Sequence, residues 1–500
     1  MTSPNPSFTP DEAPFFERPV EFDSNPYARF DTTFTPETHL FNQDLINKYN
    51  RQGPRYTSYP TALEFVPISD GAEAKILENK DPRTPISLYF HIPFCRHLCY
   101  YCGCNKIITK KNSDSGDYLA YLFKEIRLKK ALLKNGQNGD PLVEQVHFGG
   151  GTPTFLSDDE LVKLWQFLQT QFNFSDKPTA DYSIEIDPRE LRPNTLEILR
   201  NLGFNRVSFG VQDLEESVQI AVNRVQSEEM IRHVMAESRR LGYHSINIDL
   251  IYGLPHQTPN TLRHTVEKII DPSFGLAPDR LSVFNYAHLP ARFKGQRQIN
   301  EADLPSPADK LTMLGDTINA LSEAGYQYIG IDHFAKPDDE LAIAQREGKL
   351  HRNFQGYTTH ANCDLLGFGV SSISQIGDDY LQNSTDLAEY QACINANALP
   401  AVKIIHARLP DLLRRYVIMN LLCHDYVDFK DVNARFSIDP MTYFISEIQQ
   451  LGEMQADKLI DMDAKGIRIL PKGRLLGRNV AMVFDTYLNQ KHQNRFSKVI

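Results

Sequence analysis

From residue 86 onward, short apolar segments alternate with longer amphipathic ones. A short apolar run bounded by turn residues indicates a buried strand, and a longer run with a period of about 3.6 residues indicates a helix. This alternation favours an α/β fold with a parallel sheet. Six strands are predicted, at 86–91, 145–148, 182–186, 206–209, 244–251 and 281–284. Helices are predicted between or after them, including 117–133, 158–172, 227–241 and 306–323.

Each predicted strand is followed by polar, cysteine-rich or glycine-rich residues. In a (β/α) barrel, loops at the carboxyl ends of the strands form the active site. We therefore expect a partial (β/α)6 barrel with one polar mouth. The residues expected there are a cysteine loop after the first strand, the glycine run 149–151, Glu185, Asp187, Gln212, Asp249 and Asn285.

The segments outside the barrel have a different composition. Residues 1–45 are acidic and rich in Pro and Thr, which predicts a poorly ordered tail. Residues 46–80 contain a stretch rich in Pro, Gly and Tyr that cannot be a regular helix, so an ordered loop or lid is predicted. The barrel with its extensions is expected over 81–395. Residues 396–500 predict a separate, mostly helical domain.

Within this C-terminal domain, an amphipathic helix is predicted at 409–422 and a small winged hairpin at 458–461 and 466–470. Winged shapes can bind DNA, but a fold alone warrants no function. A role in packing, or as a lid over the barrel, is expected instead.

Charge and composition restrict the class of protein. The chain has 500 residues, 41% of them hydrophobic, and 53 Lys and Arg against 63 Asp and Glu give a net charge of -10. This balance argues against nucleic-acid and anionic-membrane partners, which both draw affinity from clustered positive charge. The sequence contains no apolar run long enough to span a membrane and resembles neither a signal nor a transit peptide. A cytoplasmic enzyme of several domains is expected.

Four cysteines, Cys95, Cys99, Cys102 and Cys104, lie within ten residues. A structural zinc site prefers four closed ligands, commonly from two C-x2-C pairs, and no second pair stands at that spacing. A disulfide framework is disfavoured in a long, cysteine-poor chain. An iron-sulfur cluster is favoured, and the C-x3-C-x2-C spacing of the first three cysteines would leave one iron open. Spacing does not decide whether Cys104 is a ligand.

Several polar residues of the predicted mouth have both a functional and a structural interpretation. A glycine run lets backbone approach a ligand or forms a tight turn. Glu185 alternates with isoleucines and needs a partner, either ribose hydroxyls or an arginine. Arg224 could bind a carboxylate, or it could be an exposed arginine at a helix end. Asp249 lies in an apolar strand and requires a hydrogen-bonding partner in either interpretation.

Other residues are assigned to the core. The three histidines of the predicted barrel region are expected to be core residues or to support the site, rather than to bind metal. The remaining cysteines are expected to be small buried hydrophobic residues, and Trp165 is expected on the buried face of a helix. These residues are His91, His147, His333, Cys363, Cys393 and Cys423.

Motifs along the chain resemble those of one family. They are GPRYTSYPT (53–61), YFHIPFC (89–95), the C-x3-C-x2-C-x-C loop, GGGTPT (149–154), NIDLIYGLP (247–255), NYAHLP (285–290), HRNFQGY (351–357) and GRLLG (473–477). From about Leu45 to its C-terminus, the chain resembles the oxygen-independent coproporphyrinogen III oxidases (dehydrogenases) of the radical S-adenosylmethionine (SAM) superfamily.

The resemblance implies a radical SAM barrel and its cofactors. Cys95, Cys99 and Cys102 would bind a [4Fe-4S] cluster, whose fourth iron is chelated by SAM, and Cys104 would not be a ligand. The residues implied to contact a first SAM molecule are Tyr89, Gly150, Glu185 and Ile373. Those implied to contact a second are Tyr101, Gly151, Thr152, Gln212, Arg224, Asp249 and Ala287. Tyr101 stands where the family pattern has phenylalanine.

The implied activity is oxygen-independent conversion of coproporphyrinogen III to protoporphyrinogen IX in heme biosynthesis. A 5′-deoxyadenosyl radical would take a hydrogen from each of two propionates, which then lose carbon dioxide and become vinyl groups. Cations are needed for the substrate carboxylates, and we propose Arg55 and Arg352. An unidentified electron donor and electron acceptor are required, and a monomer is expected.

Two other functions are disfavoured by the sequence. The related heme chaperones share the barrel and the cluster, but they typically lack both the fourth cysteine of the loop and the segment at 53–60, which this chain has. A DNA-binding regulator built on the C-terminal domain is disfavoured by the acidic balance of the chain.

Overall fold

The computed structural model describes residues 40–134 and 139–488. Its central feature is a set of six parallel strands that pair in the order of the chain. All six were predicted at these places, and the parallel order confirms the partial barrel. They are β1 (Ile86–Ile92), β2 (Leu142–Gly150), β3 (Asp181–Ile186), β4 (Arg206–Gln212), β5 (Ser245–Tyr252) and β6 (Arg280–Asn285).

Alternating side chains give the barrel strands two different faces. In β5, Ile246, Ile248 and Leu250 are at most 1% exposed and belong to the main hydrophobic core, whereas Asn247 and Asp249 line internal cavities. Successive side chains of a strand point to opposite faces. The apolar positions therefore pack against the surrounding helices, and the polar positions form the lumen.

Helices follow the strands as the pattern predicts. One of them starts with a capping box, in which Ser157 accepts from the backbone N–H of Glu160 and the Glu160 side chain accepts from that of Ser157. The helices before the C-terminal domain are Gln43–Tyr49, Ala72–Asn79, Ser113–Leu132, Asp158–Gln171, Thr195–Asn201, Glu216–Ala221, Glu228–Arg240, Pro259–Ile270, Pro307–Glu323, Glu340–Arg346 and Leu387–Asn395.

The sheet continues beyond both edges of the six strands. On one side Asp364–Phe368 pairs in parallel with β1, followed by the antiparallel strands Ile373–Ile376, Asp379–Asn383 and Ala401–His406, and finally Val66–Pro67. On the other side His333–Ala335 pairs antiparallel with β6, followed by Gln327–Gly330. A short hairpin of His351–Asn353 and Gly356–Thr358 lies apart from this sheet.

The C-terminal domain contains the helices and the winged hairpin that the sequence predicts. Its small sheet has three antiparallel strands, in the spatial order Tyr426–Asp428, Gly466–Ile469 and Ile460–Asp463. Its helices are Leu409–His424, Phe429–Phe436, Pro440–Tyr443, Ile445–Ala456 and Gly477–Met482. Within the described part of the chain, no helix combines the length and apolar character that a membrane span requires.

Two boundaries differ from those expected. Ala401–His406 belongs to the large sheet, so we propose that the C-terminal domain begins near residue 407 and not at 396. The expected tail was too long, because a helix starts at Gln43 with the side chain of Asn42 accepting from the Leu45 N–H, and Ile46 is buried. The rest of the expected tail, residues 1–39, lies outside the described residues.

The segment after this helix packs into the C-terminal domain. Tyr49, Tyr56 and Tyr59 are at most 2% exposed and belong to the hydrophobic core that the C-terminal helices form. Tyr56 donates to Asp485 Oδ2 at 2.9 Å, and Asn479 donates to the Tyr49 carbonyl at 2.6 Å. This ordered loop therefore joins the N-terminal segment to the far end of the chain.

Candidate active site

The cysteine loop leaves β1 at the carboxyl end of the barrel. Backbone pairing of Phe94–Cys95 with Ile107–Ile108 closes the base of this loop. Cys95, Cys99, Cys102 and Cys104 all line one cavity of about 310 Å³ and carry free thiols. Only Cys99 among the four is buried. The loop therefore presents four sulfur atoms to a single space above the strands.

This arrangement fits a cluster better than a single ion. Within residues 40–134 and 139–488, no three His, Cys, Asp or Glu side chains stand close enough together to bind one metal ion. In a [4Fe-4S] cubane each thiolate binds a different iron, so the ligand sulfurs stand farther apart than around a single ion. Three thiols spread around one cavity match that requirement.

The buried thiol of Cys99 accepts hydrogen bonds from two arginines. Arg189 Nη2 and Arg224 Nη1 each lie 3.4 Å from its Sγ. Asp187 bridges the two guanidinium groups, at 2.7 Å from Arg189 Nη2 and 2.9 Å from Arg224 Nη1. Burial raises the pKa of Asp187, but Arg224 and Arg189 outweigh this effect and lower it. The group is therefore an ionised, buried network behind the loop.

The other thiols differ in how readily they ionise. A hydrogen bond from Cys104 lowers the pKa of Cys102 to about 6, with Lys106 adding to the effect. The same hydrogen bond raises the pKa of Cys104 well above its usual value. Burial raises the pKa of Cys95 to about 12. Cys104 therefore supports Cys102 as a hydrogen-bond donor.

The glycine run is required by close packing against β1. Gly151 N donates to the Ile92 carbonyl at 2.8 Å, and a Cβ on Gly151 would stand 2.7 Å from the Pro93 carbonyl carbon. Gly150 has a φ of 120°, a conformation that favours glycine. Both glycines also line the cavity. The tight turn is therefore observed, and the approach of this backbone to a ligand stays a prediction.

Glu185 and Asp249 reach the cavity from β3 and β5. Glu185 accepts from His147 Nε2 at 3.4 Å and from Gly150 N at 3.2 Å. Burial raises the pKa of Glu185, but hydrogen bonding and charge from His147 outweigh it and lower the pKa. Burial, aided by the charge of Glu185, raises the pKa of Asp249 to about 6.

The lumen below is also polar. A second cavity of about 200 Å³ shares Glu185, Ser208, Asp249 and Phe284 with the first and extends to the opposite end of the strands. His147 lines it and stacks on Tyr89, with 5.9 Å between ring centroids. The lumen therefore holds a polar chamber beneath the cluster cavity.

Three histidines that the sequence assigns to the core support the site. His91 Nε2 donates to the Asn105 carbonyl at 3.0 Å, its Nδ1 is hydrogen-bonded to Tyr89 Oη at 3.0 Å, and its burial lowers its pKa. His333 lines the lower cavity, and burial together with Arg352 lowers its pKa to about 3. His147 holds Glu185, as described above.

The structure brings most of the expected cofactor residues to one cavity. Tyr101 departs from the family pattern but lines the cavity as well. Arg224, for which the sequence left a carboxylate contact and an exposed helix end as alternatives, is only 6% exposed. The lining includes Cys95, Cys99, Tyr101, Cys102, Gly150, Gly151, Thr152, Glu185, Gln212, Arg224 and Asp249.

Tyr89, Ile373 and Ala287 do not line this cavity. Tyr89 lies in β1, and the Ile373 backbone packs against Gly367, which pairs with Tyr89. The Ala287 carbonyl accepts from Gln296 Nε2 at 3.2 Å, and the same amide donates to the Tyr101 carbonyl at 3.0 Å. Ala287 is therefore joined to the lining residue Tyr101 through Gln296, and Tyr89 is joined to Glu185 through His147.

The two arginines expected to bind substrate are neighbours. Arg352 Nε donates to the Arg55 carbonyl at 3.4 Å. Arg55 pairs with Asp332 at 3.0 Å, and its guanidinium lies over the ring of Phe284, which lines both cavities. Arg352 is 5% exposed and stacks over Tyr357, and its Nη1 has no hydrogen-bond partner. Both cations thus stand at the edge of the lumen.

Other assignments from the sequence are mixed in outcome. Trp165 is 2% exposed and lies in the main core, as expected. Of the three remaining cysteines only Cys423 is buried, whereas Cys363 and Cys393 are partly exposed, so the expectation was wrong for these two. Cys393 lies on Leu387–Asn395, a short helix with few buried positions.

Arg189 was missed in the sequence. It follows Pro188 in a short turn after β3, and it gave no signal of its own beyond standing two residues after Asp187. A charged residue that directly follows a barrel strand lies close to the mouth. That position was the only indication available.

The fold and the site together define a class of enzyme. Residues 89–269 match the family model of the radical SAM superfamily, and residues 408–476 match that of the HemN C-terminal domain. Radical SAM enzymes use a [4Fe-4S] cluster and SAM, and the thiols of the cysteine loop line a cavity that fits such a cluster. The cofactors are therefore a [4Fe-4S] cluster and SAM.

Similar proteins narrow the class to one family. An oxygen-independent coproporphyrinogen III oxidase from Pseudomonas aeruginosa is 51% identical over 467 residues, which cover 93% of this chain and all of that protein. The protein of the same name from Escherichia coli is 49% identical over 91% of this chain and 98% of its own length. This chain belongs to the family of oxygen-independent coproporphyrinogen III oxidases.

A solved structure supports the same assignment at the level of the fold. The coproporphyrinogen III oxidase (HemN) from Escherichia coli, described as a radical SAM enzyme, superposes with a TM-score of 0.84 and 46% sequence identity. The match covers 90% of this chain and all of the other. The barrel and the C-terminal domain are therefore shared features of this family.

Proposed function

We propose that this chain converts coproporphyrinogen III to protoporphyrinogen IX without oxygen, as a step in heme biosynthesis. Each of two propionate side chains loses one hydrogen atom, one carbon dioxide and one electron, and becomes a vinyl group. One observation carries the proposal: a three-thiol site opens into a polar barrel cavity, in a chain 51% identical to an oxidase of this name over 93% of its length.

The residues that would hold the cluster are Cys95, Cys99 and Cys102. When bound, the cluster and SAM would supply a 5′-deoxyadenosyl radical able to take a hydrogen from the propionate β-carbon. The chain's own residues bind and orient the reactants, and they exclude water from the site. Tyr101, which is partly buried, and Arg224, which is buried, both line the cavity and limit the access of solvent to the reacting centre.

Two SAM molecules are proposed. Glu185, held by His147 and Gly150 N, is suited to accept from ribose hydroxyls of the first molecule because its carboxylate stays ionised. Gly150, Tyr89 and Ile373 complete that set. The second molecule would contact Tyr101, Gly151, Thr152, Gln212, Arg224, Asp249 and Ala287. The Oε1 atom of Gln212 is buried without a hydrogen-bond partner, which favours a donor from a ligand there.

Arg55 and Arg352 would bind substrate carboxylates. The Arg352 guanidinium donates to the Arg55 backbone carbonyl at the lumen edge, and Arg352 Nη1 has an unused donor. A buried donor without a partner is costly, and a carboxylate would satisfy it. Asp332 offsets the charge of Arg55 and holds it in place.

Further partners follow from the balance of the reaction. The cluster needs a one-electron donor, and the substrate radical leaves one electron for an acceptor after carbon dioxide departs. We propose that the chain acts as a cytoplasmic monomer without nucleic-acid or membrane partners. The free thiols of the cysteine loop are consistent with a reducing compartment.

An anaerobic assay tests this function against that of a heme chaperone. Cluster-loaded protein is supplied with reductant, SAM, coproporphyrinogen III and an electron acceptor, and tetrapyrrole products are followed together with 5′-deoxyadenosine. Protoporphyrinogen should form with wild-type protein and vanish in Cys99→Ala. Tight heme binding with SAM cleavage but without decarboxylation would instead identify a carrier.

A further inference from the structure

Arg189 contacts the Cys99 sulfur from outside the cluster cavity. Its Nη2 donates to Cys99 Sγ at 3.4 Å, and its side chain is 13% exposed. Arg189 does not line the cavity, although Asp187 and Glu190 on either side of it do. This guanidinium can therefore act on a cluster ligand without reaching any molecule that enters the cavity.

Asp187 fixes the orientation of this guanidinium. Arg189 Nε donates to Asp187 Oδ1 at 3.0 Å and Nη2 donates to Oδ2 at 2.7 Å. The Arg189 backbone N–H also donates to Oδ1, at 3.1 Å. A bidentate arginine–carboxylate pair fixes geometry as well as supplying energy. Arg189 is thus held with one donor aimed at the sulfur.

Arg224 contacts the same two partners from inside the cavity. Its Nη1 donates to Asp187 Oδ2 at 2.9 Å and to Cys99 Sγ at 3.4 Å, and its Nε donates to the Gly210 carbonyl at 3.1 Å. Unlike Arg189, Arg224 lines the cavity. The two arginines share Asp187 and Cys99, but only Arg224 is placed to contact a ligand.

We propose that Arg189 is a positioning residue that sets the reduction potential of the cluster through Cys99, while Arg224 is the arginine that meets SAM. Hydrogen bonds to ligand sulfurs and nearby positive charge stabilise the reduced, more negative cluster and so raise its potential. A ligand that binds Arg224 can displace the contact of Arg224 with Cys99, but the contact of Arg189 with Cys99 remains. The inference rests on the proposed cluster and is independent of the tetrapyrrole substrate.

The test is an anaerobic redox titration of cluster-loaded, full-length protein, followed by electron paramagnetic resonance. At a solution potential equal to the wild-type midpoint, the ratio of reduced to oxidised cluster should fall about tenfold in Arg189→Gln, or about 59 mV for one electron. Arg189→Lys keeps the charge and should recover part of the shift. Arg239→Gln removes an arginine from an exposed pair with Asp279 and should leave the ratio unchanged.

SAM affinity separates the two arginines in the same samples. Arg189→Gln should bind SAM with wild-type affinity, whereas Arg224→Gln should bind it at least tenfold more weakly. An equal loss of SAM affinity in both variants would overturn the inference. So would a midpoint in Arg189→Gln that matches that of Arg239→Gln.

Arg189→Lys provides the test if the glutamine variant loses its iron. If Arg189→Gln does not retain its cluster, Arg189→Lys carries the test, and an unchanged midpoint in that variant overturns the inference. A wild-type protein that binds no iron after reconstitution would overturn the proposed function itself. If the wild-type protein binds a normal cluster and the variants have an unshifted midpoint potential, only the role of Arg189 is contradicted.

Discussion

The two carboxylates of the cavity, Glu185 and Asp249, have opposite preferences for a proton. Glu185 is stabilised as an anion by His147 and by Gly150 N. Asp249 is supported by Asn247 at 2.8 Å and Ser208 at 3.5 Å, but burial and the negative charge of Glu185 outweigh these donors. At neutral pH the protein therefore holds a destabilised anion at Asp249.

Replacing Asp249 by asparagine should stabilise the apo-protein at neutral pH. Because its pKa is raised to about 6 in the folded state, the folded protein binds this proton more tightly than the unfolded chain does. Stability from this group therefore falls as pH rises through 6 and stays low above it. Asp249→Asn should raise the free energy of unfolding by about 1–2 kcal/mol at pH 7.5. Denaturant titrations at several pH values measure it.

The pH dependence provides the control for Asp249. The gain from Asp249→Asn should shrink below pH 6 and vanish near pH 4, where the wild-type carboxyl is protonated in both states. A gain of equal size at pH 7.5 and pH 4 would show that the charge of Asp249 is not its cause.

Arg55 and Arg352 should act on substrate affinity. Removing a charge-assisted hydrogen bond costs about 1.5–3 kcal/mol, which predicts that Arg55→Gln and Arg352→Gln each raise KM about tenfold or more. Turnover at saturating substrate should change less. Steady-state kinetics under anaerobic conditions measure both values. Arg83→Gln is the matched control, because Arg83 is 65% exposed and pairs with nearby Asp81. A KM that rises equally in all three variants would contradict the assignment.

Single residues show where sequence reasoning was sufficient. The cysteines, Glu185 and Asp249 could be placed because each follows or lies in a strand whose pattern was readable. The network of Arg189, Asp187 and Arg224 could not, because it joins the turn after β3 to the segment after the helix Glu216–Ala221 through contacts that no spacing encodes. The stacking of Tyr89 on His147 is hidden for the same reason.

Among the elements, the helix Ser113–Leu132 carries an unusual buried charge. Lys129 is 2% exposed and pairs with Glu125 at 2.8 Å and Glu73 at 3.3 Å. It also donates to the Gly367 carbonyl at 2.9 Å, in the strand that flanks β1. Burial raises the pKa of Glu73 and the charge of Lys129 opposes this effect, so the two charges depend on each other. The lysine thus ties two helices to the sheet.

Replacing Lys129 by methionine should destabilise the protein strongly. The variant leaves two buried carboxylates without their cation, which costs about 3–5 kcal/mol. Thermal and denaturant unfolding measure this loss. Lys130→Met is the control on the same helix, because Lys130 is more exposed and pairs with Asp140; its cost should stay within about 1 kcal/mol. Equal stability of the two variants would contradict the account.

Among the elements, the barrel strands could be predicted from the sequence, whereas the outer strands of the large sheet could not. The long strands β1 to β6 show clear apolar positions on their outer faces, as in β5. The antiparallel strands from Ile373 to His406 are short and only partly apolar, and their pairing is decided by contacts with the edge of the barrel. The sequence therefore did not indicate the boundary that we propose near residue 407.

Across the whole molecule, residues distant in sequence complete each domain. The N-terminal segment supplies Tyr49, Tyr56 and Tyr59 to the C-terminal core, and it carries Arg55 to the edge of the lumen. Arg415 Nε fixes this segment further by donating to the Tyr59 carbonyl at 2.8 Å. The motif at 53–61 therefore has a structural role in addition to its proposed contact with substrate.

Tyr59 should be needed for the stability of the C-terminal domain. Truncating a fully buried aromatic side chain costs about 3–5 kcal/mol, so Tyr59→Ala should unfold at a clearly lower denaturant concentration than wild type. Leu63→Ala, at a position 36% exposed in the same segment, should cost less than about 1 kcal/mol. Comparable losses in the two variants would show that this segment is not part of the core.

The central claim is that the cysteine loop and the barrel cavity together direct hydrogen removal from substrate propionates. The most direct measurement uses coproporphyrinogen III deuterated at the propionate β-carbons, with isotope analysis of the 5′-deoxyadenosine formed anaerobically. We expect one deuterium per 5′-deoxyadenosine and two molecules of 5′-deoxyadenosine per protoporphyrinogen. Vinyl products formed without deuterium in 5′-deoxyadenosine, or deuterium transfer that persists in Cys99→Ala, would contradict it.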